Sequence, residues 1–150
     1  MTTTAFQWSS SGTPEVSRTF AATTGVTQLY FRMRASETNI DHIIRLQTSG
    51  VAERIVFKFD SAGNMNANGT TIQAYSANTT YVIGFKWGHN GNNYAVSVNG
   101  GAYSSDVALG GVDMNNWIFG GGANATYVID DISVGPFVPL NTGAGFLTFM

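Results

Sequence analysis

The chain has 150 residues, 11% of them charged, with a formal net charge of −2 and no cysteine. That length is about one domain, whose folding would hide roughly 70% of the surface of the extended chain. Only two lysines, Lys58 and Lys86, and a slight acidic excess exclude the basic field that nucleic acid or an anionic membrane surface demands, and the missing thiols exclude a disulfide framework and thiolate metal sites.

Residues 1–14 begin Thr-rich, with no basic segment leading into an apolar one, so no secretion signal is expected and synthesis in the cytoplasm is. No apolar run approaches the roughly 18 residues of a membrane span. From residue 15 onward, apolar residues alternate with polar ones between Gly, Asn and Ser punctuation. The period of two predicts strands near 15–21, 26–35, 41–48, 53–60, 70–75, 80–88, 93–99, 116–120 and 126–134. In TYVIGFKW, Tyr81, Ile83, Phe85 and Trp87 share one face, the mark of a strand inside a sheet. GHNGNN then predicts a turn into the next strand, where Tyr94, Val96 and Val98 face together, and Asn99-Gly100 is the dipeptide of a type I′ turn. No helical spacing persists for three turns. The expected fold is all-β, a two-layer antiparallel jelly-roll sandwich over 15–136 between an N-terminal arm (1–14) and a C-terminal arm (137–150), with an immunoglobulin-like sandwich as the alternative.

The order of LYFRMRA, HIIRLQTSG, RIVFKFDSAGNM, TYVIGFKWGHNGNNYAVSVNGG, IFGGG and TYVIDDISVGP resembles the concanavalin A-like, or laminin G-like, jelly-roll sandwiches. YAVSVNGG is similar to the corresponding hairpin of such domains in bacteriophage virion proteins. The resemblance implies a sandwich framework, with calcium at its rim in many members. Asp106 and Asp113 are the candidate donors, and no other cofactor is expected.

The family also includes glycosidases and polysaccharide lyases, which need paired acids or an Arg/His/Tyr set. Here the acids are scattered, and Asp130 and Asp131, being adjacent, belong on opposite faces of a regular strand. His42 alternates with Ile44 and Leu46 as a packed or edge residue, whereas His89 reads as a solvated turn residue. Residues 64–69, NMNANG, match the start of an EF-hand loop but carry Tyr75 where the last acid belongs, so a wide hairpin loop is expected. FGGG and VNGG lack the lysine and the following helix of a phosphate cradle.

An enzyme is therefore not expected, a glycanase or polysaccharide lyase being a minor alternative, and two leading functions remain. The first is a virion structural protein, a capsid decoration or tail component, docked on neighbouring virion proteins or on copies of itself. Its docking candidates are Phe6 and Trp8 in the first arm and Phe146, Leu147 and Phe149 in the second. The second is a lectin-like module, alone or on that particle, gripping surface glycans with Trp87, His89, Asn90, Asn92, Tyr103 and Trp117. Set against that platform, a Trp at a strand end is commonly core packing.

Overall fold

The computed structural model describes residues 6–9, 16–20, 25–48, 52–109, 111, 113–121 and 126–136. They form twelve strands: β1 (Phe6–Ser9), β2 (Val16–Thr19), β3 (Thr27–Ala35), β4 (His42–Gln47), β5 (Glu53–Phe59), β6 (Asn64–Ala67), β7 (Thr70–Ala74), β8 (Tyr81–Trp87), β9 (Asn93–Val98), β10 (Val107–Ala108), β11 (Asn116–Gly121) and β12 (Thr126–Pro136). Sheet A runs β1-β12-β3-β8-β9-β10 and sheet B runs β2-β11-β4-β5-β6-β7, with every pairing antiparallel. The architecture is the expected all-β jelly-roll sandwich.

Alternation places the core. On β3, Leu29, Phe31, Met33 and Ala35 are buried, while Arg32 and Arg34 between them are exposed. The inward rows of the two sheets meet through aromatic rings. Phe31 packs edge-on against Phe119 at 5.6 Å, Phe85 against Phe57 at 5.3 Å, and Tyr81 against Phe59 at 5.8 Å. Each pair spans the two layers, and rings in this arrangement add to the apolar area they hide.

Three short strands were not expected from the alternation. Residues 6–9, assigned to an arm, form β1 on the edge of sheet A. Residues 64–69 are not a wide loop. Asn64–Ala67 is β6, and Asn68-Gly69, with φ of 45° and 89°, makes the two-residue turn into β7. Both residues need the left-handed region, which Asn and Gly adopt at least cost. Asn68 is also tied down by its side chain, which accepts from the Val56 amide at 2.6 Å and donates to the carbonyls of Arg54 and Ala108. The third strand, β10, holds only two residues against β9.

Asp130 and Asp131 depart from the expected opposite faces because β12 is not regular there. Asp130 lies opposite Arg32 and Ser133 opposite Tyr30, so three steps on β12 answer two on β3, and Asp131 takes a φ of 54°. The inserted residue is a β-bulge. It leaves Asp130 beside the outward Arg32 and lets Asp131 reach the same arginine at 3.0 Å.

Candidate functional site

The outward row of β3, Gln28, Tyr30, Arg32 and Arg34, occupies the middle of sheet A. Residues facing each other across a ladder point the same way, so Ser133 and Asp130 flank the row on β12, and Gly84 and Lys86 flank it on β8. The Tyr30 ring lies across Gly84. A Cβ there would come within 2.4 Å of Tyr30 Cε1, so this position accepts only glycine while the ring stays. The Asn99-Gly100 turn, with φ of 53° and 71°, sends the chain back along β9, where the Ser104 amide donates to the Val96 carbonyl and the Ser97 hydroxyl to that of Gly101. Ala95 and Ser97 on the outward side of β9 are buried.

Returning over the sheet, Tyr103 brings its hydroxyl to 2.8 Å from that of Tyr30, and the Lys86 ammonium sits 4.6 Å from its ring centroid. Burial and the bond to Tyr30 push the Tyr103 phenol far above its usual range, so it stays protonated. The result is a polar surface built on strands. Two hydroxyls are locked together at one end of it, and two guanidinium-bearing residues stand at the other.

The structure does not bring the six proposed glycan-contact residues together. Trp87 is 1% exposed and Trp117 8%, both within the core, so neither offers a ring to a ligand. Trp87 ends the inward row that begins at Tyr81, and Trp117 packs edge-on at 4.6 Å from Phe119. His89 lies in the hairpin turn but is only partly solvated. Its Nε2 lies 2.7 Å from Asp106 Oδ1, and Asn90 donates to the other carboxylate oxygen at 2.6 Å. A carboxylate only accepts, which places the ring proton on Nε2. The Asn90 and His89 bonds hold the Asp106 carboxyl below its ordinary value. Asn92 is exposed in the same hairpin loop.

The two candidate calcium donors serve other partners. Asp106 takes His89 and Asn90, and Asp113 takes Arg54 at 3.1 Å. Among the described residues no group of three or more His, Asp or Glu is placed to hold a metal ion. The side chains of Phe6 and Trp8, and all of Phe146, Leu147 and Phe149, lie outside the described residues.

His42 is packed, as its alternation implies. It is fully buried, edge-on to Tyr127 at 5.7 Å, with neither ring nitrogen completing a hydrogen bond and the Glu37 carboxylate 3.7 Å away. Burial lowers its pKa, and the charge and backbone of Glu37 only partly oppose that. Nearby, burial drives the Tyr75 phenol up to about 12, helped by the charges of Asp60, Glu37 and Asp41. Its hydroxyl donates to the Asp60 carbonyl at 3.1 Å. This end of the sandwich holds titratable groups, but they are spent on packing and turns.

Two antiparallel sheets with this strand order make a jelly-roll sandwich of concanavalin A-like fold. Solved structures share the fold at low identity. A sialidase superposes with a TM-score of 0.69 and 15% identity over 89% of this chain. The alginate lyase AlgAT5 of polysaccharide lyase family 7 gives 0.62 and 12% over 87% of this chain and 76% of its own. Galectin LEC-6 of Caenorhabditis elegans gives 0.57 and 16% over 85% of this chain and 95% of its own. This chain spans only 15% of the sialidase. No family model and no curated protein matches the sequence.

Arg32 and Arg34 were not among the expected site residues. FRMRA carries the signal in plain alternation, since burying Phe31, Met33 and Ala35 turns both arginines outward.

Proposed function

We propose that the protein is a non-catalytic carbohydrate-binding sandwich that engages glycans on the outward face of sheet A. One observation carries this: Gln28, Tyr30, Arg32 and Arg34 present amide, hydroxyl and guanidinium groups in a single row on a central strand, flanked by Lys86, Ser133 and two aspartates. Sugars are recognised by convergent hydrogen-bonding groups, and groups on strands hold their positions better than groups on loops. Among the described residues Val26 is the sole exposed large apolar side chain, which favours a polar ligand over a broad apolar partner. The galectin, lyase and sialidase names of the structural neighbours support a sugar ligand by analogy of fold. A binding role without catalysis is favoured by the carboxylates, since Asp41, Asp106, Asp113 and Asp131 are each engaged by a cation or a histidine.

The test is a glycan panel spanning neutral and acidic polysaccharides, with Ser133→Trp as a variant that covers the face. Binding by the native chain that is lost in the variant supports the proposal. No binding to any glycan refutes it.

Display on a bacteriophage particle is a second reading, favoured by how the chain enters and leaves sheet A. β1 and β12 are antiparallel neighbours, with Phe6 opposite Ile129. The first residue of β1 and the last residue of β12 therefore lie toward the same end of sheet A. A sheet whose first and last strands are neighbours ending on one side suits attachment to a neighbouring virion protein. Deleting residues 137–150 is expected to abolish particle incorporation, and unchanged incorporation would refute this reading.

A further inference from the structure

The basic side chains that the structure describes are almost all spoken for. Arg32 pairs with Asp131 at 3.0 Å, Arg45 with Glu53 at 3.0 Å, Arg54 with Asp113 at 3.1 Å and Lys58 with Asp41 at 3.2 Å, while Lys86 lies over the Tyr103 ring. Arg34 differs. It is exposed, and it makes no ion pair, hydrogen bond or ring contact among the described residues. Its neighbour across the ladder on β12 is Val128, which has no charge to offer.

In a chain whose net charge is −2, an arginine without a counter-ion is conspicuous by its position. It stands on the same face as Arg32, two residues along β3 and so roughly 6.6 Å away by strand geometry. It also belongs to the row already proposed to meet a sugar. A guanidinium presents its donors as a planar fork that matches a carboxylate or a sulfate with two parallel bonds. A neutral hydroxyl uses only part of that fork. Asp131 leaves Arg32 partly neutralised and fixed, so Arg34 is the group through which an incoming anion gains most.

We propose that the glycan bound on this face is anionic, and that Arg34 takes the acidic group of one sugar unit while the Tyr30 end of the row meets its hydroxyls. This rests on the glycan-binding function proposed for the same face. The ligand class is a polysaccharide bearing carboxylates or sulfates, and the two are separated by the choice of probe.

Binding is to be measured by titration calorimetry of the full chain with oligogalacturonate as the carboxylated probe, sulfated dextran oligosaccharide as the sulfated probe, and neutral dextran and galactan oligosaccharides. The expected result is binding to one or both acidic probes at least about tenfold tighter than to the neutral ones. That binding should weaken as salt rises, because the contact is ionic. Arg34→Gln should abolish the acidic preference, and Arg34→Lys should restore part of it by returning charge without the fork. Thermal melts establish that both variants fold, as expected for an exposed residue with no described partner. Equal affinity for neutral and acidic probes, or an acidic preference untouched by Arg34→Gln, overturns the inference while leaving glycan binding in place. Failure of every probe to bind removes both.

Discussion

Acidification is expected to destabilise this protein through one buried residue, His42. In the folded chain the ring is fully buried, neither nitrogen completes a hydrogen bond, and burial holds its pKa below the ordinary 6.5. In the unfolded chain it titrates near that ordinary value. Below pH 6.5 the unfolded state therefore binds a proton that the folded state refuses, and stability falls as pH falls. The ceiling is about 1.4 kcal/mol per pH unit, reached where the unfolded ring is fully charged and the folded one still neutral. The decline ends at the folded pKa. Urea unfolding at pH 7.5, 6.5 and 5.5 reads the effect directly, and this window lies above the range where the lowered Asp41 and Asp106 carboxyls titrate. His42→Gln should flatten the profile. Glu37→Gln should steepen it, because the Glu37 carboxylate 3.7 Å away favours the charged ring. His89→Gln controls for the second of the two histidines. A wild-type slope that survives in His42→Gln, or stability that rises on acidification, would refute the reasoning.

Three further outcomes follow from packing. Gly84→Ala should cost about 1–3 kcal/mol by overpacking, since its methyl meets the Tyr30 ring. A shifted denaturation midpoint, with altered tyrosine fluorescence as the Tyr30–Tyr103 pair separates, would show it. Phe57→Ala should cost about 3–5 kcal/mol, because Phe57 is fully buried and packs against Phe59 and Phe85; a loss below 1 kcal/mol in chemical denaturation would contradict the placement of the core. Trp87→Ala should destabilise by a similar amount, yet leave the glycan affinity of the molecules that remain folded unchanged. A selective loss of binding would instead return Trp87 to the site.

Much of the sandwich was legible because burial on one face writes a period of two into the sequence. TYVIGFKW and FRMRA carry that period without interruption, and β8 and β3 lie where it says. The strands that were missed are the short ones. A two-residue β10 has no period to show, and β6 was hidden because Asn64 and Asn66, its outward residues, are turn formers when read in isolation. The bulge at Asp131 is invisible for a different reason. One inserted residue shifts the alternation without breaking it, and only the partner strand reveals the slip. Trp87 and Trp117 were read as loop neighbours, although each continues the inward row of its own strand. Arg34, by contrast, could be read outward from sequence, but its lack of a partner among the described residues depends on where the carboxylates settle in three dimensions.

Among the described residues, the two sheets are finished by the last strands in chain order. β11 enters sheet B between β2 and β4, and β12 enters sheet A between β1 and β3, so each fills a gap flanked by strands synthesised long before. Until residues 116–121 have left the ribosome β4 keeps one open hydrogen-bonding edge, and until residues 126–136 have left it β3 does, each beside a large apolar face. The nascent chain therefore carries two adhesive edges throughout most of its synthesis. Premature stops within residues 116–136 should yield aggregates in place of a smaller soluble sandwich, and the full chain should fold late, in one step that locks both layers together.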